Sequence, residues 1–166
     1  MFRIIKWLIA LPLGAFIFFN AYVYGNIITY RAVAPNKTAF MAMRMRQFQS
    51  EGKDVALDYR WVPYDRISVN LKKALIASED AKFAEHGGFD WGGIQYAIKR
   101  NKQSGEVKAG GSTISQQLAK NLFLNESRSY IRKGEEAAIT AMMEAVTDKD
   151  RIFELYLNAI EWHYGV

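Results

Sequence analysis

From Trp7 to Tyr30 the chain reads WLIALPLGAFIFFNAYVYGNIITY, without one charged side chain. Nothing else in the sequence constrains the fold as hard. About 20 such residues cross the hydrocarbon core of a bilayer as a helix. A helix there satisfies its own backbone polar groups, and Pro12 and Gly14 are tolerable within it. Arg3 and Lys6 precede the run, and Trp7, Tyr22, Tyr24 and Tyr30 stand near its ends. Positive residues stay on the cytoplasmic side and aromatic ones gather at the boundaries, so the bulk of the chain is expected outside. A cleaved signal peptide is the rival reading, but the run is too long and no small-x-small site precedes polar sequence. Residues 1–30 are therefore expected to form a cytoplasmic tip and a transmembrane anchor.

Composition supports a folded domain behind the anchor. Of 166 residues half are hydrophobic and 14% are aromatic, too apolar for a disordered chain. The absence of cysteine excludes disulfides and thiolate metal sites. The net charge of +5 suits an anionic partner such as nucleic acid, anionic lipid or a phosphate-bearing substrate. An outward-facing anchored domain argues against nucleic acid.

Residues 31–57 read as a tether. FMAMRMRQF, from Phe40 to Phe48, alternates apolar and basic residues. It suits a short helix resting on lipid with Arg44 and Arg46 near phosphates, and equally a helix facing the domain core. DYRWVPYDRIS, from Asp58, reads as an extended lead-in, with strand pieces conceivable near Val55 to Trp61. From Ser68 the period is helical: Leu71, Ala74, Leu75 and Ser78 share one face, with Ser68 or Asn70 as the cap. Further helices are predicted around Ile94 to Lys99, from Thr113, over Tyr130 to Val146 and over Lys149 to Ile160. The fold class is mainly α, with the domain running over 58–166.

Three stretches carry chemistry. In ASEDAKFAEHGGFD, Glu79 follows Leu75 by one turn and precedes Phe83 by another, which predicts a partly desolvated carboxylate suited to proton handling. Asp80 points about 100° away. His86, before two glycines, reads as a helix cap or loop brace. In GGSTISQQLAKNLF, Thr113 and Gln116 form a capping-box pattern. Ile114, Leu118 and Leu122 form the stripe that packs. Gln116 and Lys120, like Gln117 and Asn121, lie one turn apart on a polar face. Gly110 and Gly111 allow close backbone approach at a helix start that favours anions. In ESRSYIRKGEEA, Arg128, Arg132 and Lys133 cluster ahead of Glu135 and Glu136, and Arg132 is spaced to pair with Glu136 along the helix.

These stretches, in this order, resemble glycosyltransferase family 51, the lysozyme-like peptidoglycan glycosyltransferases, and within it the monofunctional enzymes of Gram-negative bacteria. The resemblance rests on EDAKFAEHGGFDW (79–91), GGSTISQQLAKNLFL (110–124), RKGEEA (132–137) and KDRIFELYLNAIEW (149–162), with the anchor and RWVPYDRIS in support. Lys82, Ser115 and His163 stand where the family more often has Arg, Thr and Gly, and its domain normally continues beyond the position of Val166.

The resemblance implies a lysozyme-like helical domain behind one transmembrane helix. It implies polymerisation of lipid II into β-1,4-linked glycan, with inversion and release of undecaprenyl diphosphate. Glu79 matches the base that deprotonates the acceptor hydroxyl, and Glu136 matches the second catalytic carboxylate. Substrate-binding positions match Asp80, Phe83, His86, Ser112, Thr113, Gln116, Gln117 and Asn121, and Lys120, Arg128 and Arg132 match the cations around the donor diphosphate. No cofactor is required by the pattern. Some family members use a magnesium or manganese ion at the diphosphate, though the sequence shows no metal cage. Implied partners are lipid II, the growing strand, membrane lipids and other cell-wall synthesis proteins. The implied location is the inner membrane, single-pass, with the domain in the periplasm. Two alternatives are a catalytically inactive anchored protein that binds lipid II or cell-wall enzymes, and a lytic enzyme of related fold. The full set of charged residues argues against the first, and the cationic cluster against the second.

Overall fold

The computed structural model describes residues 2–106 and 110–161. Trp162 and His163, at the end of the family-like blocks, lie outside them. The described residues form seven α-helices: α1 (Phe2–Tyr30), α2 (Ala39–Ser50), α3 (Val69–Glu79), α4 (Trp91–Ser104), α5 (Ile114–Phe123), α6 (Tyr130–Val146) and α7 (Lys149–Ala159). A 3-10 turn, Tyr64–Arg66, precedes α3. No strand occurs among the described residues. The stretch near Val55 to Trp61 has no regular secondary structure.

α1 is long and apolar enough to cross a membrane, with mean hydropathy 1.7 from Lys6 to Tyr30. Its 29 residues amount to roughly 43 Å at 1.5 Å per residue, more than a hydrocarbon core of about 30 Å. The surplus is used for docking. Val23 and Ile27, near the C-terminal end, are buried in the main core, with Phe19 and Tyr30 packed beside them. α1 rests on α6, and the Tyr30 ring stacks on Phe123 at the end of α5.

α5 is the central helix, flanked by α7, α6 and α2. The predicted stripe Ile114, Leu118 and Leu122 is buried as expected, and so are Ser115, Gln116, Ala119 and Asn121. The polar face expected of this helix is thus largely interior, because helices close on it from several sides. Beneath it, α7 contributes Ile152, Phe153, Leu155 and Tyr156, and α6 contributes Ile139 and Met143.

One face of α7 clamps the chain that leaves the membrane. Arg151 donates to the carbonyls of Tyr30 (2.8 Å) and Val33 (3.0 Å) and sits 5.0 Å from the centre of the Trp61 ring. It thereby caps orphan carbonyls where α1 ends. Glu154 accepts from the Tyr64 amide, and Asn158 brackets the Val62 peptide through both amide atoms. α2 is tied down by Arg44, which bonds Glu161 beyond α7 and Glu126 in the α5–α6 loop, and its Phe40 is buried. α2 therefore packs on α5 rather than standing free.

Two expectations shift. α3 buries Leu75 alone of the predicted face, while Leu71 borders a groove with Val62, Ile67 and Leu157. Ser68 precedes α3 but makes no side-chain cap bond. The short helix expected at Ile94 to Lys99 runs over Trp91–Ser104; it starts three residues earlier, where Asp90 caps it by accepting from the Gly93 amide.

Candidate active site

The first and second chemical stretches meet at the start of α5. Asp80 follows α3 directly and turns inward. Its Oδ2 accepts from the Ile114 amide (3.1 Å), at the first residue of α5, and its Oδ1 is 2.9 Å from His86 Nε2. The Gly88 amide donates to His86 Nδ1, so the ring proton belongs on Nε2, facing Asp80. Thr113 donates from its hydroxyl to the Gly88 carbonyl (2.7 Å), and its amide donates to Gln116 Oε1 (3.0 Å). The capping box is present, as the spacing predicts.

This lattice revises the expected anion site at the helix start. The free amides there already face a carboxylate, that of Asp80, supplied by the chain itself. Close approach at Gly111 also serves packing: a Cβ there would lie 3.2 Å from the Ile94 backbone in α4. Gly88 has φ +90°, and a Cβ would lie 2.8 Å from Thr140 and 2.9 Å from Glu144, so the loop can press on α6 only with glycine.

Of the residues the family pattern assigns to substrate, several have their polar atoms engaged internally. Asp80, Thr113, Gln116 and Asn121 are buried and His86 nearly so. Asn121 is engaged only in part: its Nδ2 donates to the Gln117 carbonyl, while its buried Oδ1 has no hydrogen-bond partner among the described residues. Phe83 is a core residue against Phe153, with the Lys149 ammonium 4.4 Å from its ring centre. Ser112 is exposed and accepts from Lys133 (3.0 Å).

Glu79 differs from its neighbour. It is the last residue of α3 and is exposed, which corrects the expected desolvation: α3 turns its Glu79 side outward, and Asp80 takes the inward path. Gln117 Nε2 donates to Glu79 Oε2 at 3.0 Å. No hydrogen bond reaches Oε1 from the described residues. A carboxylate with one oxygen held by a neutral amide and the other open can accept a proton.

The third stretch forms a separate cationic group. Arg132 Nη1 pairs with Glu136 Oε2 at 2.7 Å, the predicted one-turn pair, and its Nε donates to the Ser127 carbonyl. Lys133 also pairs with Glu136 and reaches back to Ser112. Glu136 is 3% exposed, so both carboxylate oxygens are spent on cations. Lys120 lies on α5 with its ammonium 5.2 Å from the Phe40 ring centre of α2. Arg128 is exposed in the α5–α6 loop. Lys133, grouped from sequence with the cationic cluster, joins it at Glu136, whereas Phe40 stands in the site without a role assigned from sequence. The charge of Lys133 was legible, but the Phe40 contact depends on how α2 packs.

The described residues offer no ready-made cage for a divalent ion. Among them no three His, Asp or Glu side chains converge, and Glu136, beside Arg132 and Lys133, is already paired twice.

The profile of the transglycosylase family, described as "Transglycosylase", matches residues 44–166. Along its whole length the chain is 89% identical to a biosynthetic peptidoglycan transglycosylase of Neisseria meningitidis serogroup C (strain 053442), covering 71% of that protein. It is 86% identical, with the same coverage, to the protein of that description from Neisseria gonorrhoeae (strain NCCP11945). With a family profile over most of its residues and relatives this similar, the chain belongs to the transglycosylase family.

Proposed function

We propose that this peptidoglycan glycosyltransferase polymerises lipid II, with Glu79 as the base and the Lys120, Arg128 and Arg132 cations at the donor diphosphate. The observation that carries the reading is the exposed Glu79 carboxylate, half held by Gln117 and half open. Its open oxygen takes the proton of the acceptor sugar's 4-hydroxyl as that oxygen attacks the donor's anomeric carbon. The bond to the diphosphate breaks, and its electron pair leaves with the phosphate. Attack from the opposite side inverts the anomeric centre. A neutralised diphosphate is a good leaving group, so cations replace the protonated acid a glycosidase needs. Glu136 serves by holding Arg132 and Lys133 in place.

An anchored enzyme suits a lipid-borne substrate. With Arg3 and Lys6 at the cytoplasmic end of α1, the domain lies in the periplasm. A reporter joined to Val166 that works only after export should be active, and activity of a cytoplasm-restricted reporter would refute this topology.

The central test is incubation of the whole chain in detergent with labelled lipid II, followed by muramidase digestion. Long labelled products that collapse to disaccharide units are expected. Lys120→Ala should lower turnover by roughly 10²–10³-fold, the range for losing one donor to developing charge. An unchanged rate in Lys120→Ala would remove the diphosphate assignment.

A further inference from the structure

Tyr156 lies in the C-terminal half of α7 and is 1% exposed. Its ring stacks on Phe153 with centroids 6.2 Å apart, so its position is fixed by packing. Its hydroxyl meets Gln117 Oε1 at 3.3 Å, and Gln117 Nε2 meets Glu79 Oε2 at 3.0 Å. The two bonds decide which way the Gln117 amide faces. Turning it over would set its carbonyl oxygen against the carboxylate. Burial, helped by the negative charges of Glu79 and Asp80, pushes the Tyr156 phenol well above the usual tyrosine range. The hydroxyl therefore remains a donor at any pH at which the protein works.

We propose that Tyr156 is a positioning residue for catalysis, holding the Glu79 base through Gln117. The inference rests on Glu79 being the base. Glu79 is exposed on the last residue of a helix, and a free glutamate there samples many rotamers. Gln117 is long and only partly buried, so by itself it would not fix the carboxylate. Tyr156 supplies the rigid end of the chain: buried ring, then amide, then carboxylate. With Oε2 occupied, Oε1 is the atom left for the proton. The acceptor O–H bond breaks towards Oε1 while the acceptor oxygen bonds the anomeric carbon and the diphosphate departs with its electron pair. Gln117 can keep donating to Oε2 before and after that transfer, so the base need not reorient. Displacing a reacting group by about 1 Å can cost 10²-fold in rate, and an unbraced Glu79 is open to such displacement.

The test measures lipid II polymerisation by the whole chain, together with thermal melts. Tyr156→Phe keeps the ring and deletes the donor. It should lower kcat by about 10- to 100-fold, leave KM for lipid II unchanged, and melt within a few degrees of the parent. In a Gln117→Ala background, Tyr156→Phe should change kcat no further, because the chain of bonds is already cut. A parent-like kcat for Tyr156→Phe, or losses that multiply in the double variant, would overturn the proposal. So would a loss of rate that merely follows the melting temperature. If Tyr156→Phe does not fold, Gln117→Leu decides: it deletes the amide between two intact neighbours, and a parent-like kcat rejects the positioning role. Glu79→Gln separates the two layers. Turnover in Glu79→Gln defeats the base assignment itself, whereas a dead Glu79→Gln beside a fully active Tyr156→Phe defeats only the positioning.

Discussion

Glu79 and Glu136 are held in opposite ways. Glu79 is exposed, and one neutral amide holds one of its oxygens. Glu136 is buried and both of its oxygens are paired, with Arg132 and with Lys133. The first arrangement keeps a carboxylate available to a proton. The second uses a carboxylate to hold two cations in place. Adjacent residues repeat the contrast, since Asp80 is interior and spent on Ile114 and His86. If Glu79 is the base, reactivity in this surface goes with the acid that has the fewest partners.

The largest expected effect tests the open side of that contrast. Glu79→Gln should reduce polymerisation by roughly 10²–10⁴-fold, the usual loss of a general base. Lipid II binding and the melting temperature should hold, because an exposed side chain is exchanged for one of the same size. Glu136→Gln should do the reverse. A glutamine offers one acceptor where two cations need one each, so stability should fall by about 1–3 kcal/mol, with a smaller loss of rate than in Glu79→Gln. Parallel melts and initial rates of the two variants give a crossed pattern. Equal rate losses in both would break the division of labour between them.

Asp80→Asn sharpens the comparison at a lower magnitude. Both Asp80 oxygens face N–H donors, and an amide must present its own N–H to one of them. The His86 ring cannot relieve the conflict by moving its proton, because Nδ1 already accepts from Gly88. One buried donor is left unpaired, which costs about 1–3 kcal/mol. The melting temperature should drop by several degrees, while turnover measured well below it stays within a few-fold of the parent. A turnover loss approaching that of Glu79→Gln would mean that Asp80 acts on substrate.

How far the sequence disclosed this follows from the range of the interactions. The anchor, the capping box at Thr113, the α5 stripe, the Arg132–Glu136 pair and the α6 limits depend on neighbours within a turn or two, and periodicity carries them. The family pattern located Glu79 among many glutamates, which periodicity could not do. The surroundings of these residues were not legible. Glu79 sits one turn from Leu75, which suggested burial, but the end of α3 directs it to solvent. The polar side of α5 looked like a substrate surface, yet α2, α6 and α7 cover much of it. Tyr156 is 39 residues from Gln117, and no local signal in LYLN links its hydroxyl to an amide on another helix.

The smallest expected effect concerns a buried tyrosine hydroxyl. The Tyr59 hydroxyl is buried and makes no hydrogen bond among the described residues. Its ring lines a cavity of about 490 Å³ between α2, the extended lead-in and the end of α7. Burial pushes its pKa up to about 12, against the opposing pull of Arg151. Tyr59→Phe keeps the ring and removes the unpaired oxygen, so stability near pH 8 should rise by about 1 kcal/mol. The sign at high pH follows from the raised value. The unfolded phenol ionises near pH 10, while the folded one holds its proton until about 12. Between those values the unfolded state binds fewer protons, and the parent loses stability as pH rises. Tyr59→Phe escapes that share of the loss, so its advantage in melting temperature should be larger at pH 10.5 than at pH 8. The contrast with Tyr156 is direct, since each is one buried phenol but only Tyr156 has a partner leading to Glu79. Tyr59→Phe should leave kcat untouched. If it slowed polymerisation as Tyr156→Phe is expected to, partnership with Glu79 would no longer distinguish the two tyrosines.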